Sequence, residues 1–118
     1  MTGYVIDASA YDSPLDTHEP LFAPELIDLE VAALLRKSVL RGGRSSEEAS
    51  SDFVEWTGNA VQRVTHGPYL ETVWALRHNI TAYDAAYVAL AMHLDVPLVT
   101  ADRRLAAAAA EYCEVLPL

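Results

Sequence analysis

Cysteine is nearly absent from this sequence, with Cys113 alone among 118 residues. One cysteine cannot form an internal disulfide, and it cannot build the zinc sites that need several thiolates. Long hydrophobic runs are missing too, since no stretch approaches the ~20 apolar residues that span a membrane. The first residues also lack the basic region and apolar core of a secretory signal peptide. These absences predict a cytoplasmic protein without a membrane anchor.

Basic residues are also scarce. The chain has 8 lysines and arginines against 17 acidic residues, which gives a formal net charge of −9. Such an excess of acid argues against a protein that holds nucleic acid by bulk electrostatic attraction. The basic residues are nevertheless clustered, at residues 36–44 and 103–104. The sequence therefore permits local basic strips on an acidic protein.

Apolar residues are abundant enough for one folded domain. Hydrophobic residues make up 52% of the chain, and its length suits a single domain over residues 1–118. Strand-like and helix-like stretches alternate, which predicts an α/β fold with a small central parallel sheet and helices on both faces. The predicted strands are residues 2–6, 61–65, 96–100 and 115–116. The predicted helices are residues 24–40, 45–59, 82–94 and 102–111, with another beginning at Pro68.

Residues 11–19 do not fit this alternation. A parallel crossover takes about a dozen residues or more, including its helix. The segment is too short and too polar to build one. We therefore predict that the crossover helix is missing or shortened there.

Four acidic residues occupy positions where a ligand site is expected. Asp7 and Asp102 follow two predicted strands, and ligands of open α/β sheets bind beyond the carboxyl ends of the strands. Asp84 lies in the first turn of a helix that should open at the same edge. Glu30 falls on the apolar face of its helix, which is an unusual place for a carboxylate without a cationic partner.

Most of these acids also have a simpler explanation. Asp102 could cap a helix, Asp84 could favour a helix N-terminus through the helix dipole, and Asp7 could end a strand in an Asx turn. Glu30 is the hardest to explain in this way. Converging carboxylates repel one another, and a divalent cation removes that repulsion. Oxygen ligands alone favour Mg²⁺ or Mn²⁺ over Zn²⁺, and phosphodiester hydrolysis is the natural chemistry of such a site.

Other acid-rich or RNA-cleaving proteins fit less well. A phosphorylatable receiver domain needs a lysine at its last strand, and the only lysine is Lys37. A haloacid-dehalogenase-type phosphatase needs Asp-x-Asp after its first strand, where this chain has Asp7, Ala8 and Ser9. A metal-free ribonuclease would depend on histidines, and the four histidines form no motif.

Four stretches of the chain together resemble a known family. Residues 5–10, 23–31, 81–91 and 98–105 carry the four acids in the order and spacing of PIN-domain ribonucleases, in particular the VapC toxins of bacterial toxin–antitoxin pairs. Each stretch is a weak pattern alone, but four in the right order are specific. The resemblance covers nearly the whole chain and fails only at residues 11–19, where similar proteins usually carry a helix.

The resemblance implies a metal-dependent endoribonuclease in which a metal-activated water attacks an RNA phosphodiester. Thr100 would support the metal site without binding the ion directly, and Ser9 would position Asp7 or the substrate. Four acids would be catalytic and would hold one or two Mg²⁺ or Mn²⁺ ions: Asp7, Glu30, Asp84 and Asp102.

The resemblance also implies partners. Similar toxins form homodimers and are neutralised by a cognate VapB antitoxin, whose basic tail would suit an acidic pocket. The alternative is a non-catalytic PIN-type module that binds RNA or a protein partner, and the complete set of four acids argues against it. Local contacts with the RNA backbone are predicted for five basic residues: Arg36, Lys37, Arg41, Arg103 and Arg104.

Overall fold

The structure, a computed structural model, describes residues 2–118, and Met1 lies outside the described residues. This part of the chain forms five strands, which are β1 (Tyr4–Ile6), β2 (Leu21–Pro24), β3 (Gln62–Val64), β4 (Leu98–Thr100) and β5 (Val115–Pro117). It also forms five α-helices, which are α1 (Ile27–Leu40), α2 (Ser46–Thr57), α3 (Leu70–Ala75), α4 (Ala82–Leu94) and α5 (Arg103–Ala109). No helix among the described residues is long and apolar enough to cross a membrane.

The strands form one parallel sheet in the order β3-β2-β1-β4-β5. From β1 the chain continues to β2 and β3 on one side, and it then crosses to β4 and β5 on the other. The strand order therefore reverses between β1 and β4, where Ile6 pairs with Val99. A crevice forms beyond the carboxyl ends of parallel strands at such a reversal. Asp7 and Asp102, which follow these two strands, lie beside that crevice.

Both faces of the sheet are covered. Consecutive strand residues point to opposite faces, and Val5 (0% exposed) and Ile6 (2% exposed) are both buried in β1. Helix α4 packs against β1, β2 and β4. Its residues 85–91 are all buried, and the alanines among them allow close approach to the sheet. The predicted α/β class with a small central parallel sheet is confirmed.

Strand β2 contradicts the prediction that Pro24 opens a helix. Pro24 is the last residue of β2, and α1 begins only at Ile27. Proline is unusual within a central strand because it cannot donate a ladder hydrogen bond. Here the next amide supplies a donor, since the Glu25 N–H donates to the Val64 carbonyl of β3 at 3.1 Å. A strand can therefore end at this proline while remaining inside the sheet.

The other predicted elements match the structure within a few residues. Ser45 and Glu48 form a complete capping box at the start of α2. Thr81 accepts a hydrogen bond from the Asp84 N–H at the start of α4. The helix predicted from Pro68 begins at Leu70, because a 3-10 turn over Gly67–Tyr69 precedes it.

The crossover from β1 to β2 contains no α-helix. It consists of a 3-10 turn over Ala8–Tyr11, and residues 12–20 follow as turn, bends and irregular chain. The segment still brings β2 into parallel register with β1, with Tyr4 opposite Leu21.

A polar network joins α1, α2 and β3. Asp28 Oδ1 accepts hydrogen bonds from Trp56 Nε1 at 2.8 Å and from Arg63 Nη2 at 3.0 Å. The Arg63 guanidinium also lies over the Trp56 ring, 5.3 Å from its centroid. Arg63 donates further to Asn59 Oδ1 at 2.7 Å. These partners give Asp28 a structural role on the same helix that carries Glu30.

Replacing Asp28 with alanine is expected to destabilise the fold by about 1–3 kcal/mol, because Arg63 and the Trp56 N–H lose a shared acceptor. Urea unfolding measures the difference from wild type. The matched control is Asp52→Ala, which removes a partly exposed carboxylate that pairs, among the described residues, only with Arg44. It should change stability by less than ~1 kcal/mol. Equal losses in the two variants would contradict the importance of the Asp28 network.

Candidate active site

Asp7 accepts more hydrogen bonds than the other predicted acids of the crevice. It is buried, with 8% of its surface exposed, and it begins the 3-10 turn that follows β1. Its Oδ2 accepts a hydrogen bond from Thr100 Oγ1 at 2.7 Å, and its Oδ1 accepts from the Ser9 N–H at 3.2 Å and from the Ser9 hydroxyl. Three donors from two strand ends therefore fix the orientation of this carboxylate.

Ser9 and Thr100 connect the two sides of the crevice. The Ser9 hydroxyl accepts a hydrogen bond from the Ala101 N–H at 2.9 Å. Thr100, which is 2% exposed, accepts from the Asp102 N–H at 3.0 Å while it donates to Asp7. Both residues contact Asp7, and their supporting roles at a metal site stay a prediction.

Asp102 occupies both of the positions that the sequence offers as alternatives, a helix cap and the wall of the crevice. Its Oδ1 caps α5 by accepting hydrogen bonds from the Arg104 N–H at 2.9 Å and the Leu105 N–H at 3.1 Å. The same side chain lines the crevice together with Asp7 and Asp84. Helix capping therefore does not remove Asp102 from the acidic cluster.

Glu30 enters the crevice from α1 and meets a buried tyrosine of α4. The Tyr87 hydroxyl donates a hydrogen bond to Glu30 Oε1, and Tyr87 is 1% exposed. Burial raises the pKa of Glu30 above its ordinary value, the Tyr87 hydrogen bond opposes this, and the charges of Asp84 and Asp7 raise it further. Burial and the hydrogen bond to Glu30 likewise raise the pKa of Tyr87, so the tyrosine stays protonated and acts as a donor.

Asp84 lies in the first turn of α4. Burial raises its pKa, and the charges of Asp102 and Asp7 raise it further, whereas Thr81 and Arg104 lower it. The pKa values of Glu30 and Asp84 are thus raised partly by neighbouring carboxylates. This is the electrostatic signature of like charges brought together by the fold.

All four predicted acids line a single cleft of about 370 Å³ at the reversal between β1 and β4. Sequence analysis did not predict the six other residues of its wall: Ala8, Asp12, Ser13, Leu34, Tyr87 and Ala101. A spacing signal existed for Tyr87, since it lies three residues after Asp84 and therefore on the same face of α4. The cleft in total offers oxygen donors from five carboxylates, the four predicted acids and Asp12.

The carboxylates do not converge tightly as they stand. Within residues 2–118, no three Asp, Glu, His or Cys side chains form a group that could hold a metal ion. Protein donors occupy Asp7, Glu30 and Asp102 instead. The chemistry of the donor set nevertheless fits a hard divalent cation, which prefers oxygen ligands.

In EDTA, the melting temperature is expected to rise as pH falls from neutrality. Because the pKa values of Glu30 and Asp84 are raised in the folded protein, it binds protons more tightly there than the unfolded chain does. This stability is fully present below the ordinary carboxylate pKa of about 4 and is lost as pH rises through the raised values. Scanning calorimetry should show a shallower pH dependence for Glu30→Gln than for wild type above about pH 4. If the melting temperatures of both proteins depend on pH in the same way, the raised pKa of Glu30 is contradicted.

The predicted RNA-contacting residues lie in two exposed groups. Arg36, Lys37 and Arg41 are exposed near the C-terminal end of α1, and Arg103 and Arg104 are exposed at the start of α5. The second group directly follows the cap residue Asp102. Their contacts with RNA stay a prediction.

Known proteins share this sequence and fold. Residues 6–111 match the PIN domain family. Ribonuclease VapC1 of Mycobacterium tuberculosis is 49% identical over 94 residues, which cover 79% of this chain and 71% of that protein. Ribonuclease VapC9 of the same organism is 37% identical over 97 residues, or 82% of this chain and 76% of that protein. The crystal structure of PAE2754 from Pyrobaculum aerophilum superposes with a TM-score of 0.74 at 27% identity, covering 98% of this chain and 90% of that one.

A five-stranded parallel sheet with acids at the reversal of its strand order defines the class, and the chain belongs to the PIN domain family. Its relatives within that family are VapC ribonucleases, so the resemblance found in the sequence is confirmed.

Proposed function

We propose that this chain is the toxin of a type II toxin–antitoxin pair and acts as a Mg²⁺- or Mn²⁺-dependent endoribonuclease. The observation that carries the proposal is the single cleft lined by Asp7, Glu30, Asp84 and Asp102. Membership of the PIN domain family and relatives named VapC ribonucleases support the ribonuclease activity. PIN-domain ribonucleases generally depend on a divalent metal, and the all-oxygen donor set favours Mg²⁺ or Mn²⁺.

The acids need a cation before RNA can approach. A cleft lined by five carboxylates repels a phosphodiester, which carries the same sign of charge. When bound there, one or two divalent ions supply an activated water nucleophile and stabilise charge on the scissile phosphate. Asp7, Glu30, Asp84 and Asp102 would hold the ions.

The surrounding residues hold the acids in place. Thr100 and Ser9 donate to Asp7, so its carboxylate is oriented before any ligand binds. Tyr87 does the same for one oxygen of Glu30. Preorganised ligands lose less conformational entropy on binding an ion than mobile ones do. Holding several carboxylates close together costs stability, and a module that only binds RNA would gain nothing from it. This disfavours the non-catalytic alternative.

The partners follow from the same proposal. RNA is the substrate, and a VapB-type antitoxin with a basic tail would cover the acidic cleft by charge complementarity. The antitoxin would then co-purify with this chain on co-expression. A homodimer is the proposed assembly, and sedimentation of the purified chain tests it.

The proposed activity is tested by inducing the chain in bacteria that lack an antitoxin and sequencing RNA 5′ ends. New 5′ ends at defined positions, absent from cells that express Asp84→Asn at the same level, are the expected result. Growth arrest without new 5′ ends would contradict the ribonuclease proposal. Identical ends in both cultures would contradict the role of the acidic cleft.

Tyr87→Phe is expected to lower Mn²⁺ affinity by ~10–100-fold, the usual effect of removing a hydrogen-bond partner from a metal ligand. Calorimetric titration with Mn²⁺ measures this without any nuclease assay. The matched control is Tyr69→Phe, which removes a buried hydroxyl that has no hydrogen-bond partner in the described part of the chain. The assignment would not survive equal Mn²⁺ affinities in wild type and Tyr87→Phe.

A further inference from the structure

A second cleft of about 410 Å³ adjoins the acidic one. The two clefts share Asp84 and Asp102 as a common wall. On the far side of these acids the second cleft is lined by Asn79, Thr81 and Arg104. An RNA strand that crosses the acidic cleft over Asp84 and Asp102 therefore meets this polar surface next.

Arg104 is the only basic residue that lines this second cleft. Its backbone is fixed, because its own N–H donates to the cap residue Asp102 at 2.9 Å. Its guanidinium forms no ion pair and donates no hydrogen bond to any of residues 2–118, and the residue is exposed. Its charge reaches Asp84, since it lowers the pKa of that carboxyl. An arginine with a fixed backbone thus lines a polar cleft with its side-chain donors free.

We propose that Arg104 and the second cleft form a phosphate-binding subsite for the RNA backbone, next to the acidic cleft where cleavage is proposed. The inference rests on the proposed function, because the acidic cleft supplies the reference point. Guanidinium groups bind phosphate oxygens through paired hydrogen bonds, which a free and exposed arginine can offer. On a chain of net charge −9, affinity for RNA must come from such local contacts.

The neighbouring arginine provides a built-in comparison. Arg103 has the same charge and is equally exposed at the start of α5, but it does not line either cleft. General attraction between the chain and RNA would make the two arginines equivalent. A subsite built around Arg104 makes them unequal.

A rival role for Arg104 is to offset the charge of the acids and nothing more. Removing its charge would then tighten Mn²⁺ binding, because Asp84 and Asp102 would lose a nearby cation. RNA affinity would not change. Measuring both affinities on the same variants separates the two roles.

The test uses a short fluorescent single-stranded RNA and the full chain in Ca²⁺, with binding followed by anisotropy over a range of salt concentrations. For Arg104→Gln we expect about tenfold weaker binding than for wild type and a salt dependence shallower by about 0.7, the value for one lost phosphate contact on a single strand. Arg103→Gln should weaken binding clearly less, by no more than about threefold, because Arg103 is exposed to RNA but lines neither cleft. Arg104→Lys should recover part of the affinity, because its charge remains but the paired geometry does not.

Equal losses in Arg104→Gln and Arg103→Gln would overturn the subsite, and so would unchanged RNA binding with tighter Mn²⁺ binding in Arg104→Gln. Calorimetric melting of both variants verifies that they remain folded, as expected for exposed side chains. Cleavage of the same RNA by wild type in Mn²⁺ tests the proposed function separately. If wild type cleaves the RNA but the two arginine variants bind it equally well, only the subsite is refuted. If the variants differ in RNA affinity but wild type does not cleave, only the proposed nuclease activity is refuted.

Discussion

Saturating Mn²⁺ is expected to raise the melting temperature of the wild-type chain by roughly 10 °C. An ion that binds only the folded protein stabilises it by mass action, by about 2.7 kcal/mol at a hundredfold excess over its dissociation constant. For a domain of this size, each kcal/mol of added stability raises the melting temperature by several degrees. The effect should saturate with metal concentration, because it reflects a defined site. Thermal melts at increasing Mn²⁺ measure it.

Two variants, one in α1 and one just before it, test whether Mn²⁺ binds in the acidic cleft. Glu30→Gln should melt higher than wild type in EDTA, because one source of carboxylate repulsion is gone, and it should gain much less from Mn²⁺. Glu25→Gln is the matched control, since Glu25 lies in the same sequence motif but is exposed and does not line the cleft. It should respond to Mn²⁺ as wild type does. A similar response in all three proteins would show that Mn²⁺ binds elsewhere.

Asp84→Asn is expected to lower RNA cleavage by about 10³-fold or more while the protein stays folded. The asparagine keeps the shape of the side chain but removes the charge that a divalent ion needs. Losing ~4 kcal/mol of metal-dependent transition-state stabilisation corresponds to this factor. Cleavage of a labelled RNA under single-turnover conditions measures the change.

The same helix provides the control for Asp84. Asp95 ends α4 with φ of 53°, in the left-handed region that asparagine also adopts readily. Asp95→Asn therefore removes one negative charge from the other end of α4 without straining the backbone. It should leave cleavage within about twofold of wild type, since surface substitutions away from a site have small effects. Comparable losses in both variants would mean that net charge, and not the cleft, controls activity.

The sequence predicted the positions of the acids because their placement depends on strand and helix ends. Asp7 and Asp102 follow strands that are buried on both faces and therefore read as apolar runs. Asp84 follows a clear capping pattern at Thr81. These local signals are sufficient to predict that three acids lie at one edge of a parallel sheet.

Long-range contacts were harder to predict. Strand β2 was missed because Pro24 is typical of helix starts, and only pairing with β1 and β3 makes it a strand. Tyr87 lies in an apolar stretch of α4, and its hydrogen bond to Glu30 spans 57 positions in sequence. Arg103 and Arg104 could not be distinguished by sequence, because their difference depends on which of them turns toward Asp84.

The orientation of the acids lies beyond sequence analysis altogether. The sequence predicted a converging set, whereas Asp102 is engaged at a helix start and Glu30 by a tyrosine. Side-chain direction depends on the competition between these donors and the mutual repulsion of the carboxylates. That balance is decided by distances within the folded crevice.

Cleavage of a labelled RNA by the purified wild-type chain, followed as metal is removed and restored, tests the acidic cleft as a metal-dependent nuclease most directly. Cleavage in Mn²⁺ should stop on addition of excess EDTA and return when Mn²⁺ is added beyond the chelator, and Asp7→Asn should remain inactive throughout. Cleavage that continues in EDTA, or that Asp7→Asn performs as well as wild type, would contradict the assignment.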